Sequence, residues 1–120
     1  MVTPTPGMSI DNFLNIATSK QRVLVNDLWV KIQTASEREK QLWKEVEEYE
    51  RRVRNHRGYK IGHEYKHMDL CDDASRIDRS MDAVRSEIGG YLQVLVDNGM
   101  TNLGIVQRHY QSYTGNELPK

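Results

Sequence analysis

His63-Glu64-Tyr65-Lys66-His67 is a literal HExxH string. On a helix its two histidines fall one turn apart and can share a zinc ion, while the glutamate polarises the bound water, as in a metallopeptidase. The setting opposes that chemistry. Zinc peptidases place the motif on a buried helix beside a sheet edge that binds substrate, and nothing in this chain reads as a strand. Lys66 would also set a buried ammonium beside the cation. The string is therefore read as a chance match, and no enzymatic activity is expected.

Metal binding without peptidase chemistry is a separate reading. His56, His63 and His67 continue the apolar seams described below and meet near one end of a folded-back helix pair, a candidate ligand set for zinc or iron. Glu64 or Cys71 would supply a fourth ligand. Glu64 and His67 also form an ExxH pair, which a symmetric dimer would present twice, as di-iron carboxylate bundles do; no second buried carboxylate is evident. The simpler reading is that these histidines close a bundle end half-exposed, with a pH-sensitive seam as a corollary, and no cofactor is expected. Asp72 and Asp73 beside Cys71 disfavour its thiolate, which argues against a nucleophile there. The chain has no glycine-rich phosphate loop and no Ser, His and Asp arrangement specific to acyl transfer.

Phosphate recognition is the other candidate chemistry. Arg51, Arg52, Arg54, Arg57, Lys60 and Lys66 are opposed only by Glu64 between positions 51 and 67, with Tyr59 and Tyr65 interleaved. Such a basic island can neutralise the backbone of duplex RNA or DNA, and dimerisation would double it. The alternative is a solvated helix face, since Glu45, Glu47, Glu48 and Glu50 precede the arginines at spacings that allow intrahelical pairs. An acidic block follows: Asp69, Asp72, Asp73, Asp78 and Asp82. The total of 17 basic and 17 acidic residues thus conceals a polarised chain.

The elements that position these residues follow from the apolar period. Val25, Leu28, Ile32, Ala35, Glu39, Leu42, Val46, Tyr49 and Val53 alternate at spacings of three and four, with Glu39 the one polar intruder. Leu70, Ala74, Ile77, Met81, Val84, Ile88, Tyr91 and Leu95 form a second series without an intruder. Both are heptad seams of helices packed side by side. Ser9 or Asp11 offers an N-cap, Gly58 to Gly62 a reversal, Asn98-Gly99 a helix stop, and Thr101 a cap for a last helix. The spacing predicts a flexible tail over 1–8, a helix over about 9–57 that could break near Thr18 to Arg22, a turn over 58–62, a helix over about 63–98, a short helix over about 101–113 and a frayed end over 114–120. Folding the second helix back on the first sets Val25 near Leu95, Val53 near Leu70, and Trp29 opposite Gly89-Gly90, where the indole either covers bare backbone or the glycines mark a kink.

The expected fold is all-α: a long antiparallel helical hairpin, coiled-coil-like, with a short C-terminal helix. Trp29 and Trp43 lie two heptads apart on one flank of the first helix, which a two-helix hairpin has no second layer to cover. Two hairpins pairing into a four-helix-type bundle would cover it. The core and dimer residues are then Val25, Leu28, Trp29, Ile32, Leu42, Trp43, Val46, Ile77, Met81, Val84, Ile88, Leu92 and Leu95. At 120 residues the chain is one domain, and it has no apolar run of the roughly 18 residues that crossing a membrane demands. Its lone cysteine and the absence of a secretory pattern at the N-terminus point to a cytoplasmic, reducing setting. The function expected is that of a non-catalytic interaction protein: a homodimer that contacts an unknown protein partner through its charged tip, with nucleic-acid binding as the alternative. A viral or phage accessory system is one possible origin, which no residue selects.

Overall fold

The computed structural model describes the backbone of residues 1–56 and 63–119 and the side chains of residues 1–55 and 72–119. Four α-helices account for most of it: α1 (Ile10–Ile16), α2 (Ser19–His56), α3 (His63–Asp97) and α4 (Gly104–Thr114). The chain is all-α, and among the described residues no helix is long and apolar enough to cross a membrane. The molecule is a rod of 66 × 24 × 18 Å.

The first helical stretch is interrupted, and local chemistry explains where. Ser9 caps α1 by accepting the Asn12 amide on its Oγ at 3.2 Å, and Ala17 leaves the helix with extended backbone (ψ 152°). Thr18 and Gln21 then restart it as a capping box: the Gln21 amide donates to Thr18 Oγ1 at 3.3 Å, and Gln21 Oε1 accepts from the Thr18 amide at 3.1 Å. Arg22 reaches back from α2 and donates to the carbonyls of Leu14 and Ala17, satisfying the open end of α1.

α2 and α3 run in opposite directions, because rising positions on one meet falling positions on the other. Arg38 pairs with Glu87, Glu39 with Arg85, Glu45 with Arg76, and Arg52 with Asp73. Between these ionic margins lie the two seams. The reversal expected over 58–62 lies outside the described residues, as does the Val53–Leu70 contact, since the Leu70 side chain is not described. At the helix end, the Met100 amide donates to the Leu95 carbonyl and the Gly99 amide to that of Val96, with Gly99 at φ 82°: a Schellman stop.

Several expectations need correction. The segment 1–8 is no flexible tail. Thr5-Pro6-Gly7-Met8 forms a turn closed by Met8 N–H to the Thr5 carbonyl, with Gly7 at φ 77°, and pairs with the chain before α4. Gly7 donates to the Asn102 carbonyl, Gly104 donates to that of Met8, and Val2 exchanges two hydrogen bonds with the buried Gln21 side chain. Secondly, α4 begins at Gly104 behind Leu103, which makes no side-chain cap; Thr101 does not cap it. Finally, Gly89 is reserved for α4 and not for Trp29. A Cβ at Gly89 would meet the Tyr113 carbonyl oxygen at 2.8 Å, whereas one at Gly90 would meet open space. At the other extremity, Gly115 (φ 74°) closes α4, and Leu118, in the stretch expected to fray, packs against the core.

The consequence is an uneven core. Phe13, Leu92, Leu95, Met100, Leu103, Val25, Val106 and Pro4 are fully buried, and they draw on every element at the terminal end of the rod. There α1, α4 and the N-terminal segment provide the second layer that a pair of helices lacks. Each such side chain contributes about 1.5–3 kcal/mol through removal from water. Beyond Lys40, among the described residues, α2 packs on α3 alone, and Leu42, Val46, Tyr49 and Val53 are half-buried.

Candidate functional site

The flank of α2 that carries the two tryptophans is the surface with the most to explain. Trp29 is partly buried against the core, whereas Trp43 is 51% exposed. The difference arises from α4, which is held on α3 beside the first half of α2 and ends before reaching Trp43. Tyr110 anchors α4 by donating from its hydroxyl to Gln93 Oε1 at 2.6 Å. Where α4 stands off from α2 it leaves a cleft of about 290 Å³, walled by Trp29, Ser36, Ile105, His109 and Tyr113 over a floor that includes Ile32. His109 meets the Tyr113 ring edge-on at 6.0 Å.

Behind that cleft lies the polar intruder of the first seam. Glu39 is buried, and its carboxylate is satisfied twice, by the Tyr113 hydroxyl at 2.5 Å and by Arg85 Nη1 at 2.7 Å. The Arg85 guanidinium lies 4.2 Å from the Tyr113 ring centroid and also donates to the carbonyl and hydroxyl of Ser112. Burial, and then the bond to Glu39, push the Tyr113 hydroxyl up to about 12, so it stays a donor throughout the neutral range. The cluster locks the end of α4 onto both long helices. Its charged and polar atoms are occupied by one another, which suits fastening and leaves little for catalysis.

On the opposite margin of the α2–α3 pair, Tyr91 and Arg38 converge on Glu87. The Tyr91 hydroxyl first, and Arg38 second, hold the Glu87 carboxyl below its ordinary value, and the same bond raises Tyr91. Lys31 is raised by its bond with Asp27. These are surface pairs that define helix register.

Among the residues expected to be core or dimer contacts, Val25, Leu28, Ile32, Ile77, Val84, Ile88, Leu92 and Leu95 are buried. Trp29, Leu42, Val46 and Met81 are partly buried, and Trp43 is exposed. The basic candidates divide. Arg51 lies 4.0 Å from Glu48, Arg52 is bound to Asp73 at 2.7 Å, and Arg54 is exposed on α2; Arg57 and Lys60 lie outside the described residues, as does the side chain of Lys66. The acidic start of α3 thus folds against the basic end of α2. His63 and His67 fall in the first turns of α3 and His56 ends α2, but the side chains of all three, like those of Glu64 and Cys71, lie outside the described residues. Among the described residues no group of three or more His, Cys, Asp or Glu is placed to hold a metal ion.

Tyr113, His109 and Ile105 were not evident as site residues in the sequence. Their nearest sequence signal is Glu39, since a carboxylate in an apolar seam must find donors from somewhere. No family model, no curated protein and no solved structure matches the chain, so its functional reading rests on its own residues.

Proposed function

We propose that the protein is a non-catalytic, self-associating interaction module, in which two α2–α3 hairpins pair into a four-helix-type bundle and the charged end of the rod contacts a protein partner. The observation that carries this is the half-open seam beyond Glu39. Trp43 stands exposed beside the partly exposed Leu42, Val46 and Tyr49, on a chain whose other half has closed around its own core. An apolar strip of that kind marks an interaction surface more often than an ordinary exterior. Light scattering of the purified chain at micromolar concentration should return about twice the monomer mass of 14.0 kDa; a monomer would overturn the proposal.

Duplex RNA or DNA at the basic end is the reading the geometry favours less. Phosphate binding gains from releasing counter-ions condensed on the nucleic acid by otherwise unengaged cations. Arg51 and Arg52 already face Glu48 and Asp73. Salt-dependent retention of a duplex that disappears in an Arg51→Ala, Arg54→Ala double variant would reverse this preference.

A further inference from the structure

Resting on that reading of self-association, we infer that the two copies pair antiparallel along the tryptophan flank of α2, with the two-fold axis at Ser36 and Trp43 of each copy seated in the cleft beside the partner's Trp29. The pattern that carries it is a row seven residues apart on one line of α2: Arg22, Trp29, Ser36, Trp43 and Glu50. Reversed about its middle member, this row is complementary to itself. Ser36 meets the partner's Ser36, Trp29 meets the partner's Trp43, and Arg22 meets the partner's Glu50.

The neighbouring row on α2 obeys the same operation. Gln33 falls opposite the partner's Lys40, Asn26 opposite the partner's Glu47, and Ser19 opposite the partner's Arg54. No like charges oppose one another in either row. A parallel, in-register pairing would set Arg22, Lys40, Glu47, Glu50 and Arg54 each against its own copy, which is repulsive at every one of those positions. Serine at the crossing point is small enough for two helices to approach within the roughly 8–10 Å of ordinary helix packing.

The cleft supplies the receptor for the knob. Its volume of about 290 Å³ lies at the lower edge of the roughly 300–1,000 Å³ of pockets that hold small molecules, and suits one large side chain. Ile32, Ile88 and Leu92 give it apolar surface and Trp29 and Tyr113 aromatic surface, while Gln33, Glu37 and Lys40 add polar groups to the lining. Trp43, 51% exposed and on the same line of the same helix, is an apolar side chain of matching character. A two-fold axis makes the exchange reciprocal, so both clefts fill and the assembly closes at two copies. Tryptophan seated in a partner's pocket is also the residue type that most often dominates an interface.

The experiment is sedimentation velocity on the full chain and two surface variants, with circular dichroism confirming helicity, together with oxidative cross-linking of two cysteine variants, Ser36→Cys and Trp43→Cys. Trp43→Ala is expected to raise the dimer dissociation constant about 30-fold or more. Thr34→Ala, exposed and nine residues from Trp43 and so on the opposite face of α2, should leave it unchanged. In a Cys71→Ser background, Ser36→Cys should form a disulfide-linked dimer under mild oxidation, because the two positions meet at the axis. A monomeric wild type overturns both the self-association reading and this inference. A wild-type dimer insensitive to Trp43→Ala, or one that Ser36→Cys cannot cross-link while Trp43→Cys can, leaves self-association standing and overturns the inferred register.

Discussion

The two halves of α2 follow one heptad rule and end in different states. Val25, Leu28, Ile32 and Ala35 are buried, whereas Leu42, Val46, Tyr49 and Val53, at the same seam positions, are half-buried. The seam sets which side faces α3 in both halves. What differs is the second layer, present at the terminal end and missing beyond Glu39. A periodic apolar stripe therefore specifies a neighbour and a crossing geometry, while the extent of burial depends on elements distant in sequence.

The contrast can be broken most forcefully at the closed end. Phe13→Ala should cost about 3–5 kcal/mol in urea unfolding at any protein concentration, because a fully buried aromatic leaves a cavity that its neighbours only partly fill. Leu42→Ala, on the open half, should cost about 1 kcal/mol in dilute solution, with a larger effect as concentration rises into the range of self-association. Equal, concentration-independent losses at the two positions would show that the halves do not differ as described.

A smaller effect is expected where the halves meet. Glu39→Ala removes the acceptor shared by Tyr113 and Arg85 and should cost about 1–3 kcal/mol. The pH dependence separates the tyrosine. In the folded chain Tyr113 is pushed up to about 12, above the roughly 10 of an unfolded tyrosine. The folded state favours the neutral phenol, so this contribution is whole below about pH 10 and is lost as pH rises through the interval to about 12. Comparing alkaline unfolding of the wild type with Tyr113→Phe should isolate that slope, and identical slopes would contradict it.

The finest test uses two adjacent glycines. Gly89→Ala should destabilise by about 1–2 kcal/mol, since the new methyl group would press on the Tyr113 carbonyl and shift the end of α4. Gly90→Ala faces open space within the same helix and should stabilise by up to about 1 kcal/mol through helix propensity. Opposite signs at neighbouring positions, measured by thermal melts, would place α4 against one face of α3; equal signs would remove it from there.

Much of this layout was legible in the residues. The spacing gave both seams and their partner faces, Ser9 gave the first cap, and Asn98-Gly99 the stop before the last helix. Thr18-Ser-Lys-Gln21 carried the spacing of a capping box, so the break before α2 had a readable cause within the stretch where interruption was expected. The two tryptophans at a common heptad position marked one flank. Their different fates could not be read, because the cleft beside Trp29 depends on α4, whose Tyr113 lies 74 residues from the Glu39 it binds. The docking of residues 1–8 was equally hidden: Pro4 is buried by tertiary contact, and its carbonyl accepts from the Asn102 side chain 98 positions away.

That last bond has a kinetic meaning. The α2–α3 contacts join a helix to its immediate successor, but the best-buried part of the molecule requires its first residues to meet those at 102–104. Loop closure over such separations is slow relative to helix formation, and it cannot begin until residues 102–104 have been synthesised. The region that is tightest once formed is thus the last to become formable. During synthesis the nascent chain holds an apolar α1 and an unfilled terminal core in waiting, and completes them only when α4 arrives.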